Sequence, residues 1–176
     1  MEDSRNVADE FKGMEIADIV AVLDARGIAL EIAIENTLRD YNMGAIVRNA
    51  NAFGVRTVHV IGRKQWNKRG AMKTDAYVHI RYHDSIASFV TDVKGRNMPL
   101  YAIDNNCESA SIASVTLPEK MVMIFGQEGP GISEELRAVA TQTLHIPQLG
   151  STRSMNVGVA SGIAMYEWSR QHNKLQ

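Results

Sequence analysis

The sequence predicts an α/β domain with a mostly parallel sheet and helices on both faces. Short apolar segments alternate along the chain with segments of helical spacing, which is the pattern of α/β proteins. One apolar segment, Met121 to Phe125, contains no polar residue, as is typical of a parallel strand covered on both sides. A chain of 176 residues is expected to form a single domain.

The first half of the chain contains two predicted helices and three predicted strands. Ile16, Ile19 and Leu23 recur at helical spacing, whereas apolar residues alternate with small or acidic ones after Gly27. Gly27 and Gly54 are expected to end the two helices. In order, the predicted elements are a helix over 14–26, a strand over 28–35, a helix over 43–53, and strands over 57–61 and 77–82.

The second half continues the alternation. Asp84 and Ser133 are residue types that cap helices, so each is expected to begin one. The last helix carries glycines at 158 and 162, and each costs about 1 kcal/mol relative to alanine, so another element is expected to pack closely there. The predicted elements are a helix over 84–94, strands over 98–103, 121–125 and 141–146, a short helix from Ser133, and a last helix over 156–172.

Composition limits the class of protein and its surroundings. Residues 1–27 are expected to form an N-terminal arm or helix, and residues 28–176 the α/β domain. The polar N-terminus is not a signal peptide, and no apolar run reaches the ~18 residues of a membrane span, so we expect a cytoplasmic protein without a membrane partner. The single cysteine, Cys107, excludes an internal disulfide. The five histidines lack metal-ligand spacing, so no metal is predicted.

Charge is distributed unevenly along the chain. The net charge is only −1, yet residues 48–73 carry seven basic side chains and no acidic one. Such a local excess indicates a surface that meets phosphates, with a solvated loop as the alternative. Trp66 would either stack on a base or anchor the loop. The predicted RNA-binding residues are therefore Arg48, Arg56, Arg63, Lys64, Trp66, Lys68, Arg69 and Lys73.

Three segments combine glycines with polar side chains that a folding core does not need: 42–48 (NMGAIVR), 125–131 (FGQEGPG) and 146–162 (IPQLGSTRSMNVGVASG). Glycine lets the main chain approach a ligand closely. The second segment lies between a strand and a helix, where open α/β sheets bind ligands. In the first, Asn42 is placed to cap a helix and Arg48 is expected to have open space beside Gly44 and Ala45. The segments predict a nucleoside-like cofactor held on main-chain atoms beside one arginine.

In this order, the three segments resemble the signature motifs of the SpoU–TrmH family of RNA ribose 2′-O-methyltransferases, within the SPOUT superfamily. The resemblance covers residues 28–172. The departures are mild: Gln148 replaces methionine, Met155 replaces leucine and Gly158 replaces serine. The matching residues are Asn42, Gly44, Ala45 and Arg48 in the first motif, Phe125, Gly126, Glu128 and Gly131 in the second, and Ile146, Pro147, Gly150, Ser154, Asn156 and Val157 in the third.

This resemblance implies a deep trefoil knot over residues 120–172, a homodimer with the last helix at its interface, and S-adenosyl-L-methionine bound in a bent shape by the knot loops. The implied cofactor-binding residues are Phe125, Gly126, Gln127, Glu128, Gly131, Ile146, Gln148, Leu149, Ser154, Met155 and Asn156. The implied catalytic residues are Arg48, Asn42, Glu128, Ser154 and Asn156.

The implied reaction is methylation of a ribose 2′-hydroxyl in structured RNA. Because a guanidinium stays protonated, Arg48 would act either as a strongly desolvated base or as a clamp on the phosphate and the emerging oxyanion. The absence of a long N-terminal RNA-binding domain favours tRNA over rRNA. Two alternatives remain open: a non-catalytic RNA-binding protein with the same fold, and an enzyme of the same superfamily that methylates a base nitrogen.

Overall fold

The computed structural model describes residues 4–37, 42–105 and 108–175, and these hold five α-helices and seven β-strands. The helices are α1 (Ile16–Arg26), α2 (Met43–Ala52), α3 (Ile86–Lys94), α4 (Glu134–Ala138) and α5 (Val157–Gln171). The strands are β1 (Leu30–Asn36), β2 (Thr57–Gly62), β3 (His79–His83), β4 (Leu100–Ile103), β5 (Ala110–Ser111), β6 (Met121–Phe125) and β7 (Gln142–His145). The predicted alternation is confirmed with small boundary shifts, although β5 was not predicted. Cys107 lies outside the described residues.

All seven strands form one parallel sheet in the order β3-β2-β1-β6-β4-β7-β5. The central strand β1 pairs with β2 on one side and β6 on the other, so that Ile32 lies opposite both Val58 and Met123. In a parallel sheet the carboxyl ends of all strands meet at one edge, where open α/β folds bind ligands. Thr37, Asp104 and Gly126, which directly follow β1, β4 and β6, therefore lie at this edge.

Alternate residues of the strands face two separate cores. Ile32 belongs to a cluster that includes side chains of α2 and α5, whereas its neighbour Ala33 belongs to a cluster that includes side chains of α3 and α4. Helices therefore cover both faces of the sheet, as predicted. Among the described residues, no helix has the length and apolar character needed to cross a membrane.

The small residues of α5 allow close contact with α2. A Cβ atom added to Gly158 would lie 3.0 Å from Ala45 Cβ, and one added to Gly162 would lie 3.4 Å from Asn49 Nδ2. Asn49 Nδ2 also donates a hydrogen bond to the Gly158 carbonyl at 2.7 Å. The predicted close approach of another element to the last helix is confirmed, and that element is α2.

Of the three helix caps predicted from the sequence, one is confirmed and two are wrong. Ser133 Oγ accepts from the Leu136 N–H at the start of α4, as predicted. The prediction for Asp84 is wrong by one residue, because Ser85 Oγ accepts from the Ser88 N–H and so caps α3. Asn42 precedes α2, but its side chain does not cap the helix and points to other motifs.

The N-terminal helix packs on the domain through a small cluster of its own that contains Phe11, Ile19 and Tyr77. Asp24, near the end of this helix, pairs with Arg56 Nε at 2.7 Å. Arg56 is only 8% exposed, so its assignment to the RNA-binding surface is wrong. The guanidinium anchors α1 rather than facing an external phosphate.

A row of polar side chains crosses the face of the sheet that α3 covers. Arg96 donates to Glu31 Oε1 at 2.5 Å, and Glu31 Oε2 lies 2.7 Å from His59 Nε2. Burial alone would raise the pKa of Glu31, but hydrogen bonds from His59 and Arg96 outweigh it and lower that pKa to about 2.

We expect Glu31→Gln to lower the free energy of unfolding at neutral pH and to remove part of its dependence on acid. A carboxyl whose pKa is lower in the folded chain stabilises the fold above its ordinary pKa of 4.5. This stabilisation is lost as the pH falls from there towards about 2. Denaturant unfolding across this range measures the effect, with Asp84→Asn, at an exposed carboxylate, as the matched control. A difference from the unmodified protein that stays constant at every pH would contradict the expectation.

Candidate active site

Side chains from all three motifs meet in one hydrogen-bonded cluster. Asn42 Nδ2 donates to Glu128 Oε2 at 2.8 Å, and Asn156 Nδ2 donates to Asn42 Oδ1 at 2.8 Å. Asn156 Nδ2 also lies 3.4 Å from Glu128 Oε1. Residues that are 114 positions apart in the chain are thus adjacent, because the motifs lie at the carboxyl edge of the sheet and at the start of α5. We call these three residues the motif cluster.

The second motif forms a tight main-chain turn. Gln127 and Gly131 exchange two hydrogen bonds of 3.0 Å between their N–H and carbonyl groups. A Cβ atom added to Gly126 would lie 2.2 Å from the Gly131 carbonyl carbon, so only glycine fits at this position. The Gln127 side chain is committed to Thr37, to which its Nε2 donates at 2.7 Å. At Gln127, only main-chain atoms are therefore left to contact a ligand.

A cavity of about 360 Å³ lies beside this turn. Its volume is within the range of small-molecule sites, about 300–1,000 Å³. Two of the predicted cofactor residues do not line the cavity: Phe125 is fully buried in the core, and Leu149 is fully exposed to solvent. The predicted cofactor residues that do line the cavity are Gly126, Gln127, Glu128, Gly131, Ile146, Gln148, Ser154, Met155 and Asn156.

The cavity wall also contains residues that the motifs did not identify. Ile103, Asp104 and Asn105 enter it at the carboxyl end of β4, and Arg137 enters it from α4. The sequence did contain an indication of these residues. Asp104 and Asn105 are polar and directly follow a buried strand, at the edge where such sheets bind ligands. Asn105 Nδ2 donates to the Arg153 carbonyl, so this wall contacts the loop of the third motif.

Arg48 is exposed on α2 and does not line this cavity. Its guanidinium forms no hydrogen bond or ion pair with any residue that the structure describes. The expected open space at Gly44 is absent, because a Cβ atom there would lie 2.6 Å from the Ala71 nitrogen. Of the five predicted catalytic residues, Asn42, Glu128 and Asn156 lie together, Ser154 lines the cavity, and Arg48 stays outside it.

We call residues 48–73 the basic segment, and its loop, residues 63–73, packs on α2 through the contact of Gly44 with Gly70 and Ala71. Five of its predicted RNA-binding residues are exposed: Arg63, Lys64, Lys68, Arg69 and Lys73. Trp66 is partly buried against the core, and its Nε1 lies 3.4 Å from the Tyr82 hydroxyl, so it anchors the loop. A hydrogen bond to Asp75 raises the pKa of Lys68, which remains exposed and charged.

One group among the described residues has metal-ligand chemistry: atoms of His59, His83 and Asp92 lie within 4.8 Å of one another. Spacing along the sequence missed it because the residues come from β2, β3 and α3. His59 Nδ1 lies 2.8 Å from His83 Nε2, which is a hydrogen-bond distance. Arg96 and Arg81 already pair with Asp92 and would repel a cation. The absence of a metal stays a prediction.

The geometry defines a class of protein: an α/β protein with a ligand cavity at the carboxyl edge of a parallel sheet, walled by glycine turns and a carboxylate–amide cluster. A sequence model described as the SpoU rRNA Methylase family matches residues 29–166. The chain therefore belongs to the SpoU family and is an RNA 2′-O-ribose methyltransferase.

Individual relatives agree with this assignment. The chain is 30% identical over 158 residues to a tRNA (guanosine(18)-2′-O)-methyltransferase of Escherichia coli, covering 88% of this chain and 69% of that protein. It is 28% identical to the A. aeolicus TrmH/SpoU tRNA modifying enzyme, with a TM-score of 0.78 over 90% of this chain and 83% of that one. The SpoU methyltransferase AviRb from Streptomyces viridochromogenes, solved with AdoMet, shares the fold at 21% identity and a TM-score of 0.75, covering 88% of this chain and 64% of that one.

Proposed function

We propose that this protein methylates a ribose 2′-hydroxyl of tRNA and that S-adenosyl-L-methionine is its methyl donor. The observation that carries the proposal is the motif cluster, in which Asn42, Glu128 and Asn156 join the three signature motifs beside the cavity. The cavity fits such a cofactor in volume and in its glycine-rich main-chain walls. The tRNA substrate is favoured by the relatives from E. coli and A. aeolicus.

Different residues of this chain bind the cofactor and activate the ribose hydroxyl. S-adenosyl-L-methionine supplies an electrophilic methyl group. The glycine turn and the walls from Ile146 and Met155 hold the nucleoside part and exclude water from it. The motif cluster fixes Glu128 and Asn156 at the edge of the cavity, where they orient the ribose.

Arg48 activates the hydroxyl as a cation and not as a base. An arginine side chain is a cation that donates hydrogen bonds and accepts none, and no described acidic side chain pairs with Arg48. It therefore holds the phosphate next to the target ribose and stabilises the oxyanion that forms as the hydroxyl gives its proton to solvent water. Electrostatic stabilisation of this kind is often the largest single contribution to catalysis.

The RNA surface extends from Arg48 onto the basic segment. Gly44, one turn before Arg48, packs directly on Gly70 and Ala71, so the loop of the basic segment lies against the helix that carries Arg48. The exposed side chains of Lys68, Arg69 and Lys73 supply positive charge for the phosphates on either side of the target nucleotide.

We also propose a homodimer, a knot and an N-terminal arm. On α5, Val159, Ile163 and Tyr166 are 56%, 39% and 51% exposed and follow helical spacing, which suits a second copy of the chain. Membership of the SpoU family supports a deep trefoil knot over residues 120–172. The separate cluster around Phe11 and Ile19 supports an arm over residues 1–27, appended to a domain over 28–176.

The test is incubation of the protein with methyl-labelled cofactor and either tRNA or ribosomal RNA, followed by digestion to nucleosides. We expect a 2′-O-methylated nucleoside from tRNA. Label only in ribosomal RNA would overturn the choice of tRNA, and an N-methylated base would overturn the ribose target. Binding of S-adenosylhomocysteine without label in any RNA would favour a non-catalytic RNA-binding protein.

A further inference from the structure

Two side chains of opposite charge face the cavity at a position outside the three motifs. Asp104 follows β4, and Arg137 lies on α4, with Asp104 Oδ2 and Arg137 Nη1 3.6 Å apart. The side chains are 15% and 35% exposed. Among the described residues that line the cavity, Arg137 is the only one with a cationic side chain.

The described residues make few close contacts with the Asp104 carboxylate. Its Oδ1 accepts from the Asn105 N–H at 2.8 Å. Its Oδ2 has two distant contacts, the Ile132 N–H at 3.5 Å and Arg137 at 3.6 Å, both at or beyond the limit of a normal hydrogen bond. Since an ionised carboxylate accepts up to about four hydrogen bonds, Asp104 keeps capacity for a ligand.

The last glycine of the second motif makes room for this carboxylate. Gly131 has a φ of +72°, and a Cβ atom there would lie 3.2 Å from Asp104 Oδ2. Any larger residue at this position would therefore be strained and would press on the carboxylate. The turn at Gly131 and the side chain of Asp104 are thus complementary in shape, although the two residues lie 27 positions apart.

We propose that Asp104 and Arg137 bind the amino-acid end of the methyl donor. Asp104 accepts from its α-ammonium group, and Arg137 donates to its α-carboxylate. The inference rests on the proposed function, because it assigns a subsite within the same cavity. A zwitterion needs one anion and one cation side by side, and a guanidinium fork can hold a carboxylate through two hydrogen bonds.

Glu128 is less suited to this subsite than Asp104. Its Oε2 accepts a hydrogen bond of normal length, 2.8 Å, from Asn42 Nδ2, and this bond fixes the carboxylate in the motif cluster. Glu128 therefore belongs to the ribose side of the site. Of the two described carboxylates on the cavity wall, Asp104 therefore lies outside the motif cluster and keeps an oxygen, Oδ2, whose contacts are 3.5 and 3.6 Å long.

The experiment removes one partner at a time from the protein and from the ligand. Calorimetry measures the binding of S-adenosylmethionine, its decarboxylated form, S-adenosylhomocysteine and 5′-methylthioadenosine, which lacks the amino-acid end. We expect Asp104→Asn and Arg137→Gln each to weaken S-adenosylhomocysteine binding by about 10- to 100-fold, as for the loss of a charge-assisted hydrogen bond. Neither variant should change the affinity for 5′-methylthioadenosine.

The decarboxylated ligand separates the two roles. Arg137→Gln should bind it as well as the unmodified protein does, whereas Asp104→Asn should still bind it about 10- to 100-fold more weakly. Glu134→Gln, on the same helix but outside the cavity, is the matched control and should bind all four ligands normally. Unchanged 5′-methylthioadenosine binding also shows that each variant is folded.

Three results would overturn the inference. Equal losses of affinity for S-adenosylhomocysteine and 5′-methylthioadenosine would show that both side chains contact the nucleoside or only stabilise the fold. Unchanged affinities in both variants would exclude a role in binding. If the unmodified protein bound none of the four ligands, the proposed cofactor itself would fail, which is distinct from the first two outcomes.

Discussion

Replacing Arg48 by lysine should lower kcat for RNA methylation by about 100- to 10,000-fold, the range of a lost oxyanion donor or acid–base group. Lysine keeps the charge but presents a single ammonium, which cannot replace two parallel N–H donors on a phosphate or an oxyanion. Arg48 is exposed and has no partner among the described residues, so the substitution should leave the fold intact. Single-turnover methylation of tRNA measures the rate, and calorimetry with S-adenosylhomocysteine should show unchanged affinity.

The matched control is Arg26→Lys, which changes an exposed arginine on α1 that pairs with Glu10 at 2.9 Å. It should methylate tRNA at the normal rate, because α1 lies away from the cavity wall. If Arg48→Lys retained normal kcat as well, the oxyanion role would be lost and Arg48 would be one more surface charge. A rise in KM for tRNA with unchanged kcat would limit Arg48 to RNA binding.

Replacing Gly126 by alanine should damage both the cofactor site and the stability of the fold. The added Cβ would lie 2.2 Å from the Gly131 carbonyl carbon and 2.4 Å from the Ile132 nitrogen, and these main-chain atoms cannot rotate away. Overpacking of this kind costs about 1–3 kcal/mol of unfolding free energy. Because the turn would have to open, a misplacement of about 1 Å should also reduce methyl transfer by about 100-fold. Denaturant unfolding measures the stability, single-turnover methylation of tRNA measures the rate, and S-adenosylhomocysteine binding reports on the cofactor site.

Gly95→Ala provides the comparison. A Cβ atom there would meet only the carbonyl oxygens of Thr91 and Asp92 at 3.5 and 3.6 Å, an ordinary contact, and α3 ends outside the cavity. This variant should unfold near the normal denaturant concentration and bind the cofactor normally. Equal behaviour of the two variants would show that the turn of the second motif adapts, and that its glycine is not required by the close approach.

Several features were readable from the sequence because they depend on neighbours within a few positions. The apolar run of β6 and the helical spacing in α1 follow from local periodicity. The glycines at 126 and 158 indicated close approaches, and the structure supplies the partners, Gly131 and Ala45. The three motifs identified the family before any contact between them was known.

Other assignments failed because a residue type does not reveal its surroundings. Arg56 lies in the basic segment, yet it directly precedes β2 and is buried, and it pairs with Asp24, which lies 32 positions away on α1. Leu149 lies in a motif but points to solvent, whereas Phe125 lies in a motif and fills the core. A difference of one position, from Asp84 to Ser85, moved the cap of α3.

Local patterning was enough for the helices, for every strand except β5, for the parallel arrangement and for the family, since periodicity, glycine spacing and motif order are properties of short stretches of chain. The position of Arg48 outside the cavity, the meeting of Asn42 with Glu128 and Asn156, and the pairing of Asp104 with Arg137 needed the folded molecule. Strand order joins segments up to 114 positions apart at one edge of the sheet, and no short-range pattern records which side chains meet there.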